Sequence, residues 1–406
     1  MKAVVFHGVG DIRLDDVEEP KIQDPSDAIV RLTSSAICGT DLHMIRGTLA
    51  GMKPGTILGH EGVGVVEEIG SEVRNLRVGD RVVIPSTLGC GYCSYCRAGY
   101  YAQCDNINPN GPQAGTAFFG GPEPTGPFDG LQAEFARVPY AAINLVKLPE
   151  QVTDEQAIMI SDIFPTAYFG AEIAEVSHDD SVAVFGCGPV GQFAIASAKI
   201  LGAGRVFAVD KEESRLEMAR TQGAEVINFN EEDPVEVIFN LTGGIGVDRV
   251  IEAVGVDAEH AHSGPAAEQG EQMAGQFEQE ISEVAPETNP QGDNWHPGGA
   301  PSQSLIWSTQ CVAKGGSIGV IGVFPPQAMT FPVGALQQRN LTLKGGNCNH
   351  RKYIPRLVGL VATGALDPTG ILTNREPVTD AIEAYKIFDQ RQPGWIKVEL
   401  LPTTAG

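Results

Sequence analysis

Along the N-terminal part of the chain, apolar positions fall in short runs rather than in helical stripes. Ala28-Ile-Val-Arg-Leu32, Gly64-Val-Val66 and Asp80-Arg-Val-Val-Ile84 are separated by Gly, Pro and Asp turns, which predicts a compact β-rich lobe from Lys2 to Val146. From about Pro165 the pattern changes. Continuous runs at Ser181-Val-Ala-Val-Phe185, Glu225 to Phe229, Val247 to Val254 and Ser317 to Val323 predict buried strands, with helical stretches such as Gln192 to Leu201 between them. That alternation predicts an α/β lobe built on a parallel sheet. After Gly345-Gly346, a helical stretch from Tyr353 to Thr363 and a terminal strand from Ile396 to Leu400 return the chain to the first lobe.

One stretch fits neither pattern. Asp257 to Pro301 is rich in Gly, Pro, Gln and Glu and contains no Lys or Arg, which predicts a mobile acidic loop without a core of its own.

Composition narrows the partners. A chain of 406 residues, 42% hydrophobic and 19% charged, can bury the cores of two domains or more. Its formal net charge of −23 repels polyanions, so nucleic acid and anionic membrane are not expected partners. No run approaches the roughly 18 apolar residues of a membrane span. Met1 to Phe6 reads as a first strand rather than a signal peptide, so the cytoplasm is the expected compartment. The scattered Cys38, Cys187, Cys311 and Cys348 agree with reduced thiols.

The remaining cysteines are clustered. Cys90, Cys93, Cys96 and Cys104 follow a C-x2-C-x2-C-x7-C spacing in a Gly-rich loop, and such spacing aims four sulfurs at one tetrahedral ion. A pair of local disulfides would be strained, and an iron–sulfur run has a shorter last interval. A structural zinc is therefore expected. Two further groups of ligand type, Cys38-Gly-Thr-Asp-Leu-His43 and Gly59-His60-Glu61-Gly62, are weak signals singly, yet a thiolate and an imidazole with an open position suit a catalytic zinc. In the second lobe, Gly186-Cys-Gly-Pro-Val-Gly191 follows a strand and opens a helix, and Arg205-Val-Phe-Ala-Val-Asp210 ends in an acid. This is a dinucleotide fingerprint: Gly186, Gly188 and Gly191 let the backbone approach a pyrophosphate, with Pro189 and Val190 at the helix N-terminus. Asp210 would bind the adenosine ribose hydroxyls and repel a 2′-phosphate, which predicts NAD; Lys211 and Arg215 are the local features that blur the choice.

On these motifs the chain resembles the zinc-dependent medium-chain alcohol dehydrogenases, nearly throughout apart from the acidic insertion. The resemblance implies a GroES-like β-rich catalytic domain (1–164 and 347–406) and a Rossmann doubly wound domain (165–346) carrying the insertion at about 256–304. It implies two zinc ions per chain, a structural one on the four clustered cysteines and a catalytic one on Cys38 and His60. Many members add a second Cys; here the matching stretch is Ser161-Asp162-Ile-Phe-Pro-Thr166, so Asp162 takes that place and Thr166 is expected toward the cofactor. The branch resembling glutathione-independent formaldehyde dehydrogenases and dismutases has a similar Asp, and a carboxylate should leave the metal more electrophilic than a thiolate. Glu61 is expected either as an alternate ligand or as a buried carboxylate behind the metal.

By the same resemblance, Thr40 and His43 would relay the alcohol proton to solvent, Ile321 and Val323 would flank the nicotinamide, and Arg351 would reach the pyrophosphate. The insertion is expected to fold over the dinucleotide through Phe277, Trp295 and Trp307. The implied activity is hydride transfer between NAD and a small alcohol or aldehyde, with dismutation open to an enzyme that keeps its NAD. A polyol or threonine dehydrogenase, and a non-catalytic dinucleotide-binding or structural relative, are the alternatives. Family members form dimers or tetramers through the edge of the cofactor sheet, here expected at Ser317 to Phe324 with Met329 to Pro332.

Overall fold

The computed structural model describes residues 1–402. Six parallel strands stand in the order Glu225–Asn228, Arg205–Asp210, Ser181–Phe185, Val247–Glu252, Val312–Val320 and Thr342–Gly345. The order reverses at Ser181–Phe185 beside Val247–Glu252, so a crevice opens beyond the C-terminal ends of these two strands. Both faces of the sheet are covered, which explains the continuous apolar runs. On one, Val182 and Val184 pack under helices Ile163–Ile173 and Pro189–Ile200, where the Phe164 and Phe193 rings stack at 4.5 Å. On the other, Ala183 and Phe185 pack with Trp307 of helix Gln303–Cys311.

The second large sheet has seven strands. Asn374–Pro377, Val398–Leu401, Ala28–Ile37, Gly62–Ile69, Arg81–Ile84 and Val146–Lys147 are neighbours in that order, and Phe135–Val138 also pairs with Ala28–Ile37. Strands from both ends of the chain thus share one sheet, with Val398–Leu401 antiparallel to Ala28–Ile37. The fold is α/β, a β-rich lobe beside a doubly wound parallel sheet.

Two expectations need correcting. The acidic segment is not a structureless loop: it contains the helix Ala267–Val284. Its glutamates lack lysine partners, but Gln272 bonds Glu268, Gln276 bonds Glu280 and Gln279 bonds Glu283, each four residues apart, and neutral amides take the place of cations. Phe277 stacks on His260, and Glu280 accepts from the backbone and hydroxyl of Ser302. Asp257, Ala258 and Glu259 at the start of the segment line the crevice, as does Trp307 just beyond it, whereas Phe277 and Trp295 do not. Beyond the helix it crosses to the β-rich lobe, where buried Trp295 joins the core of Leu42, Tyr385 and Phe388. It is a strap between lobes. The second correction concerns the sheet edge: Val312–Val320 lies one strand in, and Thr342–Gly345 is the edge.

Candidate active site

Each candidate side chain is placed by a local break in regular structure. Cys38 precedes the helix Gly39–Arg46, and its backbone N–H donates to Asp41 Oδ2 at 3.0 Å. Asp162 sits between helices Asp154–Ser161 and Ile163–Ile173 with φ −141° and ψ −66°, outside the helical range. Pro165, lacking an N–H, is tolerated in the first turn of the second helix. His60 and Glu61 immediately precede the strand Gly62–Ile69.

These elements bring Cys38, His60, Glu61 and Asp162 together, one ligand atom from each lying within 4.8 Å of the others. Asp162 Oδ2 is 3.7 Å from Cys38 Sγ and 3.5 Å from His60 Nε2. All four residues are buried. Burial pushes the Cys38 thiol up, against the pull of His60. Burial also opposes charge on Asp162, yet hydrogen bonds from His350 and His60 hold its carboxyl well below the usual range. Glu61 is raised by burial to about 7 although Lys397 pulls it down, and its Oε2 is buried without a hydrogen-bond partner. Three acidic ligand groups around one imidazole, with an orphaned carboxylate oxygen among them, form a donor set that fits a divalent cation. Glu61 Oε1 is paired with the wholly buried Lys397.

The clustered cysteines fit a second ion. Cys90, Cys93, Cys96 and Cys104 have their sulfurs within 4.8 Å of one another, and none is in a disulfide. Backbone N–H groups of Cys90, Cys93 and Cys96 donate to Cys104 Sγ (3.2 Å), Cys90 Sγ (3.4 Å) and Cys93 Sγ (3.4 Å), as a set of thiolates requires.

A cavity of ≈ 520 Å³ runs from the Cys38 group to the crevice of the parallel sheet. Cys38, Thr40, His43, His60, Asp162 and Thr166 line one end; Gly186, Gly188, Pro189, Val190, Asp210, Lys211 and Arg215 line the other, and Ile321 and Val323 also line it. Gly186 adopts φ +86°, and a Cβ on Gly191 would lie 1.8 Å from Gly186 O, so glycine is required at both. Gly191 therefore serves close packing of helix on strand rather than the cavity wall. Asp210 accepts from the backbone N–H of Cys187 (2.7 Å), Lys211 (2.7 Å) and Glu212 (3.0 Å), which anchors the glycine loop to the next strand.

Arg351 departs from expectation. It lies on helix His350–Ala362, does not line the cavity, and its Nε is buried without a hydrogen-bond partner. The neighbouring His350 does line it, with Nε2 2.8 Å from Asp162 Oδ1. Arg391, from beyond helix Ala381–Asp389, also lines it. His43 departs too: it is 6% exposed and faces Asp257 of the strap, Nδ1 to Oδ2 at 2.8 Å, rather than open water. Arg46 Nη1 bonds the same Asp257 oxygen at 2.7 Å, while its Nε and Nη2 bond Asp389 Oδ1 at 2.9 and 2.7 Å. His350, Lys397, Arg46, Asp257 and Arg391 belong to no local motif, and nothing in their immediate sequence marks them.

Residues 24–150 match the model of the alcohol dehydrogenase GroES-like domain, and residues 189–265 match that of the zinc-binding dehydrogenases. A zinc-type alcohol dehydrogenase-like protein of Bacillus subtilis is 37% identical over 99% of this chain and 100% of its own. A glutathione-independent formaldehyde dehydrogenase of Pseudomonas aeruginosa is 39% identical over 66% of this chain and 69% of its own. The solved alcohol dehydrogenase TADH from Thermus sp. ATN1 superposes with a TM-score of 0.79 at 33% identity, covering 99% of this chain and 100% of that one. With its two large sheets, one donor set of four cysteines, another of Cys38, His60, Glu61 and Asp162, and full-length relatives of this kind, the chain belongs to the zinc-dependent medium-chain alcohol dehydrogenases, a family of oxidoreductases.

Proposed function

We propose that the protein is an NAD-dependent dehydrogenase of small alcohols or aldehydes with two zinc sites, one structural and one catalytic. The observation that carries this reading is that Cys38, His60 and Asp162 converge in the cavity that the glycine loop and Asp210 also line. Cys38, His60 and Asp162 would hold the catalytic zinc, and Cys90, Cys93, Cys96 and Cys104 the structural one. When bound, zinc supplies Lewis acidity toward a substrate oxygen and NAD supplies the hydride acceptor.

The protein's own residues do the rest. Gly186 and Gly188 admit the pyrophosphate to the N-terminus of helix Pro189–Ile200, and Asp210 receives the adenosine ribose. Ile321 and Val323 offer an apolar wall to the nicotinamide. Thr40 and His43 share one face of their helix, three residues apart, and pass the hydroxyl proton away from the substrate. Asp257 is ionised, so His43 Nδ1 carries the proton between them, which leaves Nε2 as the accepting nitrogen. The proton's path thus ends first at His43, whose ring the strap residue Asp257 orients.

A rate panel tests the reading. On enzyme assayed for zinc, small primary alcohols and formaldehyde should turn over with NAD at least about tenfold faster than sorbitol or threonine, a margin of ~1.4 kcal/mol. Faster polyol or threonine oxidation would reassign the substrate, and absence of both zinc and turnover would return the chain to a non-catalytic role. The formaldehyde dehydrogenase name of the Pseudomonas relative puts formaldehyde first in that panel.

Cofactor choice has its own test. Asp210→Asn removes the charge and keeps one oxygen, enough for either the Cys187 N–H on Oδ2 or the Lys211 and Glu212 N–H groups on Oδ1. The NAD over NADP preference in kcat/KM is expected to fall at least about tenfold, through KM rather than kcat. An unchanged ratio would place NADP discrimination on other residues.

A further inference from the structure

We infer that His350 is a positioning residue for the catalytic metal: clamped by Thr87, it takes one oxygen of Asp162 so that only the other is presented to the ion. The inference rests on Asp162 being a zinc ligand.

The two carboxylate oxygens of Asp162 face different surroundings. Oδ1 lies 2.8 Å from His350 Nε2 and 3.3 Å from Thr166 Oγ1, which donates to it. Oδ2 lies toward Cys38 Sγ and His60 Nε2. The far side of the imidazole is held as well, with Nδ1 2.9 Å from Thr87 Oγ1, whose hydroxyl also lies 2.9 Å from Cys348 O. His350 is 2% exposed, and both of its ring nitrogens have a protein partner.

Proton counting assigns the ring. A carboxylate that ligates a metal can only accept, so on that premise Nε2 carries the proton in its 2.8 Å contact with Oδ1. Thr87 then either donates to Nδ1 or accepts from it, and in both cases the ring plane is fixed from two directions. The clamp joins three segments that are remote in sequence: the turn after strand Arg81–Ile84, the break between two helices at Asp162, and the first residue of helix His350–Ala362. A carboxylate with one oxygen committed in this way binds a metal through the other alone. A free carboxylate beside a divalent ion can rotate and chelate through both oxygens. One-oxygen ligation leaves a coordination position open for substrate, as a catalytic zinc needs. The protein group that orients a ligand is thereby part of the metal site.

The test is metal affinity, not rate. By chelator competition, His350→Ala is expected to hold the catalytic zinc about 10–100-fold less tightly, with the structural zinc unaffected. The visible spectrum of the cobalt-substituted enzyme should shift with it. His350→Gln, whose amide N–H reaches the place of imidazole Nε2, should restore most of the affinity. Wild-type affinity and an unchanged cobalt spectrum in His350→Ala would overturn the inference. If that variant folds poorly, Thr87→Val decides: it removes the hydroxyl that reaches both Nδ1 and Cys348 O and should weaken the same zinc several-fold, and wild-type affinity there would overturn the clamp. Asp162→Ala separates the premise from the inference. Should it keep both zinc ions at wild-type affinity, Asp162 is not a ligand; should it lose one while His350→Ala loses none, only the role of His350 falls.

Discussion

Asp162→Ala is expected to lower kcat/KM for alcohol oxidation by a factor on the order of 10³, equivalent to about 4 kcal/mol of transition-state stabilisation. The loss should appear mainly in kcat and follow a fall from two zinc ions per chain to one. The fold should survive, because the clustered cysteines and the core of the β-rich lobe do not touch Asp162. Asp162→Cys is the informative companion. The resemblance implies a second Cys at this place in many members of the family, so this variant should keep its second zinc with altered turnover. An alanine variant as active as the wild type would remove Asp162 from the ligand set.

The second large effect is structural. Asp257→Ala should destabilise the protein by about 3 kcal/mol, read as a lower denaturation midpoint, because it leaves Arg46 underpaired and strips the acceptor from His43 Nδ1 and Gly298 N–H inside the protein. The pH dependence follows. Burial opposes ionisation of Asp257, but Arg46 and His43 hold its carboxyl far below the ordinary value. A folded pKa below the unfolded one stabilises the protein fully above the unfolded value, near 4, and that contribution is lost as pH falls further toward the folded value. The stability of Asp257→Asn should therefore fall less steeply than that of the wild type below about pH 4. Parallel acid limbs for the two proteins would show that the carboxylate does not carry this linkage.

The sequence disclosed what depends on neighbours in the chain. The cysteine cluster, the glycine loop with Asp210, and the Cys38 and His60 motifs each place their donors within a short segment, so spacing alone conveys geometry. Asp162 is legible only through the resemblance, in the matching stretch Ser161-Asp162-Ile-Phe-Pro-Thr166, because no short spacing ties it to Cys38, 124 residues away. His350 stands 188 residues from Asp162, and Lys397 stands 336 from Glu61. Only the folded chain brings such pairs together, and neither residue type is unusual where it stands. The stretch that holds Arg351 does reach the cavity, but through His350 beside it. The acidic segment misled for another reason. Its polarity excludes a core of its own, yet Trp295 borrows the core of the other lobe, and the charge of Asp257 is met by Arg46 and His43 far upstream.

The position of Val398–Leu401 between Asn374–Pro377 and Ala28–Ile37 bears on biosynthesis. Every strand of the parallel sheet lies within residues 181–345, so that sheet can close while translation continues. The neighbouring lobe must wait with Ser35 to Ile37 unpaired on the side that Phe135–Val138 only partly covers until Val398–Leu401 leaves the ribosome, since that segment supplies the missing partner and Lys397 just before it the ammonium group beside Glu61. A nascent chain stopped shortly before Lys397 would carry a finished nucleotide module and an open, aggregation-prone seam.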